Sequence, residues 1–116
     1  MTVSVSWKLS QDEREALIKA VGEPQSIIPG KSAGQLAVVI YEDTAMFTGG
    51  VKQEKMVYVN MKCTGKFTYK IKQDFTVATF DAISKALGTS KDKMFMEIDE
   101  LECFGGFGDL KDIYYS

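Results

Sequence analysis

One order of patterned segments occurs twice in this chain, and that repetition limits its fold more than any single motif does. Val3, Val5 and Trp7 alternate with Ser4 and Ser6, the two-residue period of a strand buried on one face. Ser10 and Glu13 then form a Ser-x-x-Glu capping box. Leu17, Ala20 and Val21 supply a helical apolar stripe, and Gly22 is placed to end it. A loop through Pro24, Pro29 and Gly30 leads to Leu36-Ala-Val-Val-Ile-Tyr41, apolar at both parities, which predicts a strand covered on both faces. The second half returns to the same order. Met56 to Cys63 predicts a strand with Asn60 and Lys62 on one face. Phe75, Ala78, Thr79, Ala82, Ile83, Ala86 and Leu87 fall on one face of a helix that Gly88 closes, and Met94 to Ile98 predicts the next strand.

The expected fold is therefore α+β, in the sense of two α/β layers. Duplicated βαβ units, residues 1–50 and 51–116, form one domain with a four-stranded mixed sheet and two helices on one face. A glycine-rich tail, Gly105 to Gly108, follows as a flexible turn, and Ile113 to Tyr115 is a last β-prone piece. Two helices cover only one side of a sheet, yet Leu36 to Tyr41 is apolar on both. Loops or further copies of the chain must shield the second side, and the size of the patch favours oligomerisation.

Composition removes several function classes. With 116 residues the chain is long enough for a core without disulfides or a structural metal. It has no histidine, which excludes Ser-His-Asp and Cys-His nucleophile systems and disfavours transition-metal sites, so neither a metal nor another cofactor is expected. Cys63 and Cys103 match no redox or zinc spacing and read as reduced and packed. A net charge of −2 with a single arginine, Arg14, lacks the footprint of a nucleic-acid binder. Lys62, Lys66, Lys70 and Lys72 interleave with Phe67 and Tyr69, but a solvated strand end explains them better. No run of about 20 apolar residues spans a membrane, and the first residues lack the layout of a signal peptide, so a cytoplasmic location is expected.

A series of local patterns in fixed order carries a resemblance: Gly30-Lys31 before the second strand, then Asp43 and Met46-Phe-Thr-Gly-Gly50. After these come Cys63-Thr-Gly-Lys66, and the stretch Leu87-Gly-Thr-Ser-Lys-Asp-Lys-Met-Phe-Met-Glu97. Over nearly its whole length the chain resembles the tautomerase superfamily, specifically the group around macrophage migration inhibitory factor (MIF). The resemblance implies a homotrimer of duplicated βαβ units whose sheets line a central barrel. It also implies keto-enol tautomerisation of small 2-oxo acids such as phenylpyruvate, with an N-terminal proline as base. A buried amine beside cationic groups is driven towards its neutral form and so serves as a base near neutral pH.

Carried over residue by residue, the resemblance gives Lys31 the role of binding the substrate carboxylate, places Thr64 at the end of the third strand, and sets Phe107 near the aromatic that covers the pocket. Phe95 stands where a tyrosine is usual and Glu97 where an asparagine is usual. Phe95 has no hydroxyl, and an ionised Glu97 only accepts hydrogen bonds and repels the carboxylate that Lys31 attracts. Met1-Thr2 stands in place of the proline, none of which occurs in the first twenty residues. The candidate bases are then a free α-amine, on Met1 or on Thr2, with an ordinary pKa of about 7.7 to 8.0, or Glu97 in an apolar pocket. Against these, Glu97 and Lys31 satisfying each other across a subunit boundary would close the site, and Lys31 also reads as a solvated loop lysine. A flexible primary amine is less well positioned than a pyrrolidine ring, and misplacement by about 1 Å costs on the order of a hundredfold. Three readings stay open. One is a tautomerase-like enzyme with a weak or lost site. Another is a non-catalytic trimer that binds a protein partner. The last is a small regulatory domain of the ferredoxin-like type.

Overall fold

The computed structural model describes residues 1–115. The alternating segment forms β1 (Thr2–Val5), with Val3 and Val5 fully buried. It stops short of Trp7, because the chain bends at Ser6, whose Oγ accepts a bond from the Met56 N–H at 2.7 Å. Helix α1 (Gln11–Gly22) starts as its capping box dictates. The Glu13 N–H donates to Ser10 Oγ at 3.1 Å and the Ser10 N–H donates to Glu13 Oε1 at 2.9 Å. Gly22 does not end the helical path as its position suggested. It stays in the right-handed region (φ −76°) and leads into a 3-10 helix, Glu23–Ile27, that begins with Pro24 near its first turn. Its missing side chain serves packing instead, since a Cβ there would lie 3.2 Å from that of Ala33.

Strand β2 (Val39–Tyr41) is shorter than its apolar run, because residues 33–35 form a 3-10 turn and Leu36 and Val38 pack against the core from outside the strand. A small hairpin follows, β3 (Phe47–Thr48) and β4 (Val51–Lys52), turning at Gly49 and Gly50, both at positive φ. Strand β5 (Val57–Thr64) has a strict alternation of buried and outward residues. Helix α2 (Tyr69–Leu87) begins at Tyr69 rather than Phe75, because the Thr68 hydroxyl caps it, accepting from the Ile71 N–H at 3.2 Å. Lys70 and Lys72 are therefore helix residues and not part of a strand end; Lys70 pairs with Asp74 one turn on, at 2.9 Å. Gly88 closes the helix at φ 67°, as its place in the sequence predicts.

Strand β6 (Met94–Leu101) outruns the predicted Ile98, because Asp99 to Leu101 continue the parallel register with Lys62 to Thr64. The glycine-rich tail is a second hairpin rather than a flexible turn. It comprises β7 (Cys103–Gly106) and β8 (Asp109–Asp112), joined by a two-residue loop in which Phe107 (φ 52°) and Gly108 (φ 79°) are both left-handed. Ile113 to Tyr115 is not a strand. Both cysteines are free, but only Cys63 is buried; Cys103 is exposed on β7.

The main sheet has the order β2-β1-β5-β6. β1 and β2 are parallel and joined through α1, β5 and β6 are parallel and joined through α2, and the two units meet antiparallel along β1 and β5. The sheet is mixed, as the duplicated pattern predicts. Val3, Val5, Val57, Val59 and Met94 pack with Leu17, Val21, Ile83 and Leu87 in one cluster, and Met61 and Cys63 pack with Ile28 and Phe75 in another. All the strand residues in these clusters share one parity, so both helices lie on one face. The other face carries Val39 and Tyr41, at 50% and 57% exposure, beside Tyr58 and Phe95. Among the described residues nothing covers it.

Candidate active site

Because β1 is the first strand of the sheet, Met1 lies at the end of the central pair, between the lead-in to β2 and the far half of β5. Its α-amine donates to the Ala37 carbonyl at 2.8 Å, and its own carbonyl accepts from the Val39 N–H at 3.0 Å. Its side chain packs against both core clusters. The nitrogen and the carbonyl of residue 1 are thus both held, which answers the mobility expected of a primary amine. The amine is held below its ordinary value of 8.0, first by burial and then by the nearby Lys62 ammonium.

Lys62 reaches this place through register. Thr2 opposes Asn60 across β1 and β5, so Lys62 lies beyond the end of β1, next to the amine. Asp99, its partner in the parallel register of β6, binds it at 2.7 Å and keeps it cationic by raising its pKa. The strand alternation had placed Asn60 and Lys62 on one face. What it does not contain is the pairing of β5 with β1, which is what brings Lys62 to Met1.

The same open face carries the two altered fourth-strand positions. Glu97 accepts from the Tyr58 hydroxyl at 3.0 Å and from the Asn60 side-chain amide, and this bond to Glu97 pushes the Tyr58 hydroxyl up. The rings of Phe95 and Tyr58 stack at 6.4 Å between centroids, 13° from parallel. Within the chain Glu97 is paired with these residues and not with Lys31.

Lys31 belongs to the other side of the sheet. Pro29 and Gly30 occupy the centre of a turn in which the Lys31 N–H donates to the Ile28 carbonyl at 3.0 Å, and Gly30 takes the positive φ of 79° that such a turn requires. The lysine is half-buried, and among the described residues no carboxylate forms a salt bridge with it. Its charge reaches Cys63, whose thiol burial pushes up and Lys31 pulls down. Since Met1 packs on the cluster that holds Cys63, Met1 and Lys31 converge on the same end of the sheet. Thr2 and Thr64 are half-buried on the open-face parity, Thr64 at the end of β5 opposite Leu101. Phe107 stands at the tip of the last hairpin, 85% exposed, and covers nothing in its own chain. Glu97, Phe95 and Phe107 are thus not gathered with Met1 and Lys31 in a single chain. Among the described residues no group of three or more carboxylates or cysteines is placed to hold a metal, and no helix is long and apolar enough to cross a membrane.

No family model matches the chain, and no curated protein matches it in sequence. Solved structures do. MIF2 of Leishmania major superposes with a TM-score of 0.83 at 19% identity, over 95% of this chain and 94% of its own. A fused 4-OT described as a symmetric trimer gives 0.75 at 21%, over 86% and 83%. The macrophage migration inhibitory factor of Trichinella spiralis gives 0.71 at 22%, over 95% and 97%. The fold is that of the MIF and tautomerase proteins, as the local patterns implied.

Proposed function

We propose that this protein is a weak tautomerase of small 2-oxo acids, working as a homotrimer, in which the Met1 α-amine replaces the proline base. The observation that carries this reading is the state of that amine: pinned at 2.8 Å to Ala37 and held below its ordinary value by burial and Lys62. A neutral amine keeps an N–H for Ala37 and offers its lone pair to the proton on the carbon next to a carbonyl. Lys31, half-buried and without a carboxylate partner among the described residues, anchors the substrate carboxylate. Phe107 and Thr64 complete the pocket where neighbouring copies meet.

Phenylpyruvate tautomerisation followed by absorbance tests it. Slow catalysis above buffer is expected, abolished by acetylating the α-amine and reduced about tenfold by Lys31→Ala, the size of a lost charge-assisted contact of about 1.5 kcal/mol. A rate that is absent, or indifferent to acetylation, overturns it. Thr2→Pro in a chain freed of its methionine should raise the rate if only the base has changed.

One observation favours a second reading. Glu97 accepts a hydrogen bond on each oxygen, from Tyr58 and Asn60, and Phe95 is stacked on Tyr58, so the fourth-strand groups are engaged within the chain. A non-catalytic module that presents its surface to a protein partner needs no more than this. Trimeric protein without any tautomerisation supports it.

A further inference from the structure

We infer that Gly22, at the end of α1, is a positioning residue for Lys31: its bare backbone is the seat on which the loop carrying that lysine rests. The inference rests on the proposed role of Lys31 in holding the substrate carboxylate, and on nothing at the amine. Gly22 is buried and right-handed, at φ −76° and ψ −43°, a conformation open to any residue, so its backbone geometry does not call for glycine. What calls for it is space. A Cβ added there would lie 3.2 Å from the Ala33 Cβ and 4.0 Å from the Ala33 Cα.

Ala33 stands within the segment that holds the lysine. On one side Ile28 is buried, and its carbonyl accepts from the Lys31 N–H at 3.0 Å; on the other side Leu36 packs against both core clusters. Between these anchors every residue except Lys31 is exposed. Ala33 brings the segment back to the body, since it sits against Gly22 and its carbonyl accepts from the Leu36 N–H at 3.2 Å. Lys31 lies two residues earlier, with Ser32 extended between them (φ −151°, ψ 161°). A push on Ala33 is therefore passed to Lys31 through exposed chain, whereas Ala37 lies behind the Leu36 anchor and is spared. Because Ala33 is itself exposed, the segment can yield outward by a few tenths of an ångström. An alanine at position 22 should thus shift the lysine and leave the core packed.

The test is a pair of substitutions in the full chain. In phenylpyruvate tautomerisation Gly22→Ala should raise KM about threefold at unchanged kcat, since misplacement by about 1 Å costs on the order of a hundredfold and this shift is a few tenths of that. Adding Ala33→Gly removes the opposing Cβ and leaves the new methyl facing the Cα of residue 33 at 4.0 Å, an ordinary contact, so the double variant should return to the native KM. Amide exchange reads the same contact without turnover. The Leu36 N–H, bonded to the carbonyl that is pushed, should exchange severalfold faster in Gly22→Ala and at the native rate in the double variant, with the Leu17 amide of α1 unchanged as the check on the fold. A KM that stays put, that moves together with a loss of kcat, or that Ala33→Gly does not restore overturns the positioning role, and so does a Leu36 amide indifferent to Gly22→Ala. A native chain that turns over no phenylpyruvate removes the proposed function instead, and the exchange comparison then still decides whether Gly22 seats the loop.

Discussion

In the proposed mechanism a single nitrogen is the base, and its shifted titration is also a statement about stability. The Met1 amine binds its proton less tightly folded than unfolded, so between its lowered value and 8.0 the unfolded chain carries more protons. Stability therefore rises with pH through that window, and the penalty is fully present below it. Thermal midpoints of the native chain should climb across this range relative to an N-acetylated chain, which lacks the group; parallel curves would remove the assigned shift. Phe107 is a second residue whose backbone matters. A bulky aromatic at φ 52° costs on the order of 1–2 kcal/mol, a cost glycine does not incur. Phe107→Gly should slow amide exchange in β7 and β8 while lowering any activity that needs the aromatic. Residue identities such as Met1, Lys31 and Glu97 were legible as candidates because motif order marks them. Lys62 was not, because its effect depends on the pairing of two strands far apart in sequence.

The elements were legible to the extent that they announce themselves by period and cap. Ser10 with Glu13 and the terminal Gly88 mark real helix ends. The start of α2 was hidden because Tyr69 to Asp74 is polar on its outer side, and what starts it is one threonine hydroxyl. Thr68→Ala should destabilise the domain by about 1 kcal/mol, read as a shift in the urea midpoint at unchanged slope. No shift would mean the helix is set by packing of Phe75 alone. The end of α1 misleads for the opposite reason: Gly22 looks like a stop signal, but tertiary contact with Ala33 is what requires it. The last hairpin, too, was concealed by its four-residue glycine-rich stretch, since glycine marks flexible turns and left-handed hairpin loops alike.

At the scale of the molecule, the duplicated pattern predicts two parallel strand pairs with both helices on one side, because each βαβ unit must return parallel to its own strand; it does not say which strands join the two units. It also implied an uncovered face, and the fold leaves Val39, Tyr41, Tyr58 and Phe95 there. An apolar face of this kind predicts self-association. Sedimentation should show three chains together, and Val39→Glu with Tyr41→Glu should release single folded subunits; a native chain that sediments alone would leave the pocket without its neighbours. Lys31 and Glu97 could not be placed on opposite faces from sequence, because one sits in a loop whose path is set by the turn at Gly30.

Residue 1 is held at both of its backbone polar groups, the nitrogen by the Ala37 carbonyl and the carbonyl by the Val39 N–H. For recombinant work this makes the choice of affinity tag consequential. A tag fused ahead of Met1 turns the amine into an amide, blunting its reactivity while leaving the core intact, so a purified, well-folded and inert preparation would say nothing of the native chain. Handles belong at the other end.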